Sequence, residues 1–509
     1  MKNKRIRINV AIALIAMFLL SSCTQGDGGA VNDQKNPEDS VSKIEESEVK
    51  EKEADVYKVD LEAEIAFLNA LKKERYEHSL LKEIKEKTKY VKKDNTVVYV
   101  NKALTETLRT LDARESLYVE KIDAEAGIAT VKDGYNSGSR GYIREDAFHD
   151  SKLDFILRQY DGVDYTHEIP FEEYENNPRV KAKGIYLTQN TVISEEKLDA
   201  LIKKANETEI NAFVIDVKND SDTLLFESEA AKKYNPKARY YKKDISSIMQ
   251  KLKDNNIYTI ARIVAFKSPQ YALENPDRAI TYKGTNTVYK NRGGVAWASA
   301  YDRELWEYNI EISKEAAELG FNEIQFDYVR FPALTKAARA KLDMKNNLDE
   351  NRTQAIHSFL KKAYEELSAK EVYVSADIFG WATSSISDEG IGQHWEALAT
   401  TVDYTCPMIY PSHYGSGIFG FAVPDAHPYW TVYESAKDGI ERNKNVNKPA
   451  LIRPWIQDFT ARWVKGYINY GPKEVKAQIQ ALEDLGIEEY ILWSPGNNYT
   501  WEAIDSVQN

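Results

Sequence analysis

Glu323-Ile324-Gln325-Phe326-Asp327-Tyr328-Val329-Arg330-Phe331-Pro332 is a β-branched and aromatic run that follows an amphipathic helix ending at Gly320 and stops at a proline. Such a run reads as a buried parallel strand whose last residues emerge into a loop. If Ile324, Phe326 and Tyr328 point one way, Gln325 and Asp327 point the other, and Asp327 lies near the strand's carboxyl end. Barrel folds carry their functional residues at that edge, so the acid reads as functional. The plainer reading has Asp327 capping the loop or pairing with Arg330.

On both sides of this stretch one theme repeats: a short apolar strand, a loop, then a helix. Strands are predicted at 184–188, 212–218, 258–266, 323–331, 372–380, 403–410, 451–459 and 489–494, with helices such as 194–206, 244–255, 303–319 and 473–485 between them. Eight such units over residues 180–509 fit an α/β fold of the (β/α)8 TIM barrel type with enlarged loops. An open doubly wound sheet would leave unexplained the absence of a Gly-x-Gly-x-x-Gly turn. The long loops at about 267–301 and 412–427 are expected to shape whatever cleft the barrel carries.

Parity along these strands sorts the polar residues. Asp216 and Lys218 share a face of strand two, Arg262 lies on strand three, Ser375 and Asp377 on strand five, Met408 and Tyr410 on strand six, Arg453, Trp455 and Gln457 on strand seven, and Trp493 on strand eight. An interior built only for packing would be filled with branched aliphatics, so polar and aromatic residues at one rim read as a cleft. Arg262 with Asp216 reads equally as a buried ion pair or as a substrate contact.

Asp327 and Asp377 end adjacent strands, which lie about 4.8 Å apart, so their carboxyls are expected to face one bond. Glycoside hydrolysis needs such a pair, one carboxyl protonated as general acid and the other ionised as nucleophile or base. Two close acids push their pKa values apart, which divides the roles. The assignment is Asp327 as nucleophile or base and Asp377 as acid, with Asp216 able to replace either. Aromatic residues at or beyond strand ends, Trp297, Trp381, Tyr410, Tyr414, Trp455 and Trp493, offer rings to stack on sugars, about half of them in the cleft. Substrate contacts are further expected from Lys218, Arg330, His413, Arg453 and Gln457.

The 509-residue chain is acidic, with a net charge of −12, which argues against nucleic-acid binding through a basic surface. Its two cysteines, Cys23 and Cys406, exclude a disulfide framework or a cysteine zinc site. Residues 1–22 read as a targeting signal: Lys2, Lys4, Arg5 and Arg7 precede the apolar stretch 10–20, too short to span a bilayer, and Leu20-Ser21-Ser22-Cys23 follows. That ending resembles a bacterial lipobox, which implies cleavage before Cys23, its lipidation, and a membrane anchor on the extracytoplasmic face. Residues 23–55 read as a solvated tether. Over 56–88, Leu61, Ile65, Leu68, Leu71, Leu80, Leu81 and Ile84 make an incomplete apolar stripe of a helical segment. Residues 89–150 show short alternating runs at 96–100, 117–121, 127–131 and 141–143 with Gly and Asp turns, which suggest a small all-β barrel. The ending Gly141-Tyr142-Ile143 resembles the closing strand of bacterial Src-homology-type barrels, which implies contact with cell-wall peptide or service as a spacer.

Seven segments together carry a wider resemblance: Lys183-Gly184-Ile185-Tyr186-Leu187-Thr188, Ala212-Phe213-Val214-Ile215-Asp216-Val217-Lys218, Ala261-Arg262-Ile263-Val264-Ala265-Phe266-Lys267, Gln325 to Pro332, Ala376-Asp377-Ile378-Phe379-Gly380, Pro407 to Tyr414, and Arg453-Pro454-Trp455-Ile456-Gln457-Asp458-Phe459. They resemble the glycoside hydrolase domain family found in many Gram-positive secreted proteins, from about Val180 to the C-terminus. The resemblance implies a barrel similar to α-amylase-type hydrolases, with acids at strands four and five, and a polysaccharide substrate such as peptidoglycan glycan strands or amino-sugar exopolysaccharides. No cofactor and no metal are expected. One departure is Trp297-Ala298-Ser299-Ala300-Tyr301, where the family pattern has Asp-Pro after the tryptophan. Two other classes stay open: a metal-dependent polysaccharide deacetylase using His394, His413 or His427, which no His-x-His or His-x-x-x-His spacing supports, and a non-catalytic cell-wall or polysaccharide-binding lipoprotein. A phosphate-handling barrel is disfavoured, since the loops after strands seven and eight lack a glycine-rich anion cradle.

Overall fold

The computed structural model describes residues 87–134, 140–150 and 160–506. The signal, Cys23, the tether and all but the last two residues of the helical segment lie outside the described residues. Of those two, Thr88 already opens a strand. The described residues form two compact units.

The smaller unit is an antiparallel sheet in the order Thr107–Leu111, Thr96–Tyr99, Arg140–Arg144, Ile128–Lys132, Ser116–Asp123, Thr88–Val91, Phe148–His149. Alternation sets its faces: Ala129 and Val131 point inward from Ile128–Lys132 while their neighbours are half-exposed. Leu111 at one edge and Phe148 at the other share one core with Val91, Val98, Leu117, Val119 and Ile143, so the sheet curls around it. The strands at 88–91, 107–111 and 148–149 were not expected. Thr107–Leu111 buries only Leu111, and so small an apolar signal is hard to read as a strand.

The larger unit is a closed parallel barrel. Its strands are Lys183–Leu187, Ala212–Lys218, Tyr258–Val264, Glu323–Asp327, Tyr373–Phe379, Tyr404–Met408, a seventh broken at Arg453-Pro454 into Leu451–Ile452 and Trp455–Gln457, and Tyr490–Trp493. Each pairs in parallel with the next, and strand eight returns to strand one. Strands two and three are buried at every position, as strands covered on both faces must be. Helices pack outside through apolar stripes such as Leu198, Leu201, Ile202 and Ala205 of Glu195–Glu207. Gly320, at φ 98°, ends the turn after Arg303–Glu318 and releases the chain into strand four, a conformation that only glycine takes at little cost. Strand four is shorter than expected: it stops at Asp327, because Tyr328 turns the chain at φ 47°.

Tyr258, Tyr373 and Tyr404 fill the amino-terminal half of the barrel with Ala212, Val214 and Ile260. Among them lies a buried charge cluster. Arg453 Nη1 donates to both oxygens of Glu323 at 2.8 Å, its Nε donates to Glu489 at 2.8 Å, and its guanidinium lies 3.6 Å from the Tyr404 ring. The segment around Pro170 and Pro178 then closes the amino-terminal mouth. Tyr174 and Val180 pack against the interior, and Asn177 Nδ2 donates at 2.8 Å to the carbonyls of both Asn322 and Glu371, which lead into strands four and five. Arg179 pairs with Asp403 and lies between Phe171 and Tyr373.

Removing Arg453 leaves two carboxylates, Glu323 and Glu489, without their shared cation, the first of them fully buried. Arg453→Met is expected to cost about 3–5 kcal/mol, read as a lower urea midpoint. Glu323→Gln combined with Arg453→Met is expected to recover much of the loss.

Candidate active site

Register brings the polar residues of strands two to five to one level. Arg262 pairs with Asp216 on one side and Gln325 on the other. Phe326 pairs with Ala376, so Asp327 and Asp377 follow one residue later on adjacent strands. All four charged residues are at least nine-tenths buried.

Arg262 is the hub. Its Nη1 donates to Asp216 Oδ1, and its Nε (3.0 Å) and Nη2 both donate to Asp327 Oδ2. The other oxygen of Asp327 accepts the Tyr328 backbone N–H at 2.5 Å. Tyr186 donates its hydroxyl to Asp216 Oδ2 at 2.5 Å. Asp377 has a different setting, accepting the Trp455 indole N–H on Oδ1 at 2.6 Å.

These contacts divide the carboxyls electrostatically. Burial, and next the charge of Asp327, push Asp377 well above the ordinary aspartate range, against the weaker pull of Arg262 and Trp455. Burial raises Asp216 too, opposed by Arg262 and by the Tyr186 hydroxyl. Burial also works against the Arg262 cation, and Asp216 and Asp327 outweigh it, holding the guanidinium well above its usual value.

The turn after Asp327 is strained. Tyr328 adopts the left-handed region, which costs a residue with a Cβ on the order of 1–3 kcal/mol. Cations hold its ring: Lys267 Nζ lies 4.5 Å and the Arg330 guanidinium 5.0 Å from its centroid. Lys267 is fixed in turn by Asp220 at 2.6 Å. Gln393 ties the ends of strands four and five together, donating to the Asp377 carbonyl at 3.1 Å and the Val329 carbonyl at 3.4 Å while accepting the Phe379 N–H at 2.9 Å.

Aromatic rings line the opposite side. Trp493, half-buried, lies 4.3 Å from the Tyr186 ring, 5.6 Å from Trp455 and 6.4 Å from Tyr410. Tyr410 is buried, and its hydroxyl is raised by that burial and by Asp377. The acids, Arg262, Tyr410, Trp455 and Trp493 therefore gather as parity predicts. Arg330 is at the rim too, its guanidinium over Phe379 at 4.4 Å and Trp297 at 5.0 Å. Trp381 is half-buried in the turn Gly380–Thr383 after strand five. His413 is accessible to solvent although protein crowds it on most sides, and that desolvation pushes its imidazole down to about 4.

Five expected contacts lie elsewhere. A bulge in strand two pairs Arg262 with Asp216 but Ile263 with Lys218, so Lys218 faces outward with Ile263. There its ammonium reaches the Val264 carbonyl at 2.7 Å, Asp222 at 3.1 Å and the Tyr308 ring of the outer helix. Arg453 sits at the level of Glu323, at the amino-terminal end. Gln457 is spent on protein, accepting from Ser412 N–H and Oγ and donating to Asp425 at 3.1 Å and to the Phe459 carbonyl at 3.0 Å. Tyr414 is buried, its hydroxyl 2.7 Å from Ser435 Oγ. Trp297 belongs to a small core where the loop after strand three packs, with Ile280 and Leu342. Among the described residues, no cluster of metal-ligand side chains includes His394, His413 or His427.

Sequence reasoning passed over Tyr186, Tyr328, Lys267, Asp220 and Gln393. Parity on strand one marks Tyr186, which lies one residue before the strand's end; the others act through loop geometry that no periodicity records.

No curated protein matches the chain. Among solved structures it is similar to a hypothetical protein from Ruminiclostridium thermocellum (34% identity over 38% of this chain and 96% of that one, TM-score 0.34). It is also similar to the PgaB (BpsB) glycoside hydrolase domain from Bordetella bronchiseptica (14% identity, 65% and 100% of the two chains, TM-score 0.48) and to the spore cortex-lytic enzyme SleL from Bacillus megaterium (14% identity, 64% and 74%, TM-score 0.38). Matched over residues 184–499, from the first barrel strand to the turn beyond the last, the chain belongs to the family described as "Putative glycosyl hydrolase domain".

Proposed function

We propose that the barrel hydrolyses glycosidic bonds of a cell-wall or exopolysaccharide glycan with Asp377 as general acid and Asp327 as nucleophile or base. Membership of the family supports glycosidase activity for the chain. The observation that supports the division of roles is the different setting of two neighbouring carboxyls: burial and the charge of Asp327 push Asp377 well above the ordinary aspartate range, while Asp327 takes the donors of Arg262 and the Tyr328 N–H. A protonated Asp377 donates to the leaving glycosidic oxygen, and Trp455 fixes the orientation of its carboxyl through Oδ1. Asp327, aligned by Arg262, meets the developing oxocarbenium centre or activates water beside it. Arg262 and Asp216 act as positioning residues, their polar atoms being taken up by each other, by Asp327 and by Tyr186. Trp493, Tyr186 and Tyr410 supply apolar faces for a pyranose ring.

The same proposal places the protein at the extracytoplasmic face of the cell membrane, held by a lipid on Cys23 after removal of residues 1–22. The basic residues, short apolar stretch and Leu-Ser-Ser-Cys ending support it. For the small β unit we propose contact with cell-wall peptide, which the likeness of Gly141-Tyr142-Ile143 to the closing strand of bacterial Src-homology-type barrels supports.

Reducing-end release from a panel of peptidoglycan glycan strands and amino-sugar exopolysaccharides tests the chemistry. Asp327→Asn and Asp377→Asn are each expected to lower it by about 10³-fold or more with folding intact. Release unchanged in both variants rejects the assignment, and binding without release by the wild type makes the protein a glycan-binding lipoprotein. The raised Asp377 has a signature in stability as well. The folded chain keeps this proton at pH values where the unfolded chain has lost it, so stability from this group falls as pH rises from the ordinary aspartate range through the raised folded value. Thermal unfolding over that range is expected to show a flatter pH dependence for Asp377→Asn than for the wild type. Cys23→Ser is expected to shift the protein from the membrane fraction to the medium, followed by immunoblot.

A further inference from the structure

We infer that an aromatic track runs out of the barrel mouth along the loop after strand seven and binds further sugar rings of a glycan chain, with Trp463 as its outer platform. The inference rests on the glycan reading above and adds to it that the substrate is a polymer held beyond the bond being cut. The track begins at Tyr410, whose ring meets Trp493 on the site side at 6.4 Å and, on the other, His413 at 5.1 Å and Phe459 at 6.2 Å. His413 and Phe459 meet each other at 6.4 Å, and Phe459 stacks on Trp463 at 5.9 Å with 20° between the planes. From Tyr410 through Phe459 to Trp463 exposure rises, Tyr410 being 6% exposed, Phe459 half-buried and Trp463 56% exposed, with Tyr467 nearby in the chain at 40%.

The loop that carries Trp463 is tied down, so the ring is presented rather than loose. The Phe459 carbonyl accepts from Gln457 at 3.0 Å, Thr460 Oγ1 accepts the Tyr470 N–H at 3.0 Å, and the Tyr470 hydroxyl donates to the Asp425 carbonyl at 2.9 Å. Asp425 Oδ2 accepts the Ile468 N–H at 3.3 Å, and Ala461 is fully buried beneath. An indole held by a fixed loop and stacked on a ring that leads back to the site offers a ligand a flat apolar face. Flat rings with polar neighbours suit the apolar face of a pyranose, and continuity with the catalytic aromatics selects a sugar of the same chain as the occupant.

Binding by the full chain in detergent micelles, in an Asp377→Asn background that does not turn over, tests this with three probes: isolated peptidoglycan glycan strands, an N-acetylglucosamine hexamer and its dimer. Trp463→Ala is expected to weaken binding of the long probes about tenfold while leaving the dimer unchanged, with Trp463→Phe retaining most of the affinity. With Asp377 intact, the same substitution is expected to raise KM for long chains without lowering kcat. Long-probe affinity unchanged by Trp463→Ala overturns the track and leaves the catalytic reading standing if the wild type still releases reducing ends. Equal losses for dimer and hexamer also overturn it, since Trp463 would then serve the catalytic pocket itself. Absence of both binding and release for every probe overturns the track and the glycan reading together. Thermal unfolding of Trp463→Ala is expected to match its background, as the ring is exposed.

Discussion

A guanidinium that keeps its charge, buried beside three carboxyls, governs the barrel's upper half. Arg262 neutralises one acid and shares itself with a second, which leaves the third without a cation of its own. In a space from which water is largely excluded, that third carboxyl lowers its energy by holding a proton. The raised Asp377 thus follows from its burial and the acid charge beside it, against the Trp455 indole, whose hydrogen bond pulls the other way. The same hub stiffens the site, because Arg262 bonds side chains on both neighbouring strands and so fixes strands two, three and four to one another.

The lower half of the barrel repeats the device with a different outcome. Arg453 is held by Glu323 and Glu489 and stacked on Tyr404, and both carboxyls bond the one guanidinium directly. Both arginines are buried and each bonds two carboxyls; what separates them is that Asp377 lies near Arg262 without a hydrogen bond from it, whereas both acids at Arg453 are bonded to the guanidinium.

Much of this was legible in the sequence. Alternation along Glu323–Asp327 and Tyr373–Phe379 puts Asp327 and Asp377 on one face, and the same rule brings in Arg262, Trp455 and Trp493. Eight strand and helix units gave the closed barrel. Parity failed where the backbone departs from a flat ladder: a single bulge reverses Lys218, an event that leaves no trace in composition. Parity also gives a face without a height, so Arg453 and Trp455, two residues apart on one strand, read alike although one meets Glu323 and the other Asp377. The run Tyr328 to Phe331 looked like more strand because its residues favour strands, yet Tyr328 takes a left-handed turn that Asp327 and two cations stabilise.

The plug formed by Tyr174, Asn177 and Arg179 makes the barrel a vessel with one opening. With that end filled by side chains, the acids at the other end face the carboxyl-terminal side. In the glycosidase reading proposed above, Asp377 would then draw its replacement proton from the side by which the leaving sugar departs, so that resetting the acid waits on clearing the mouth.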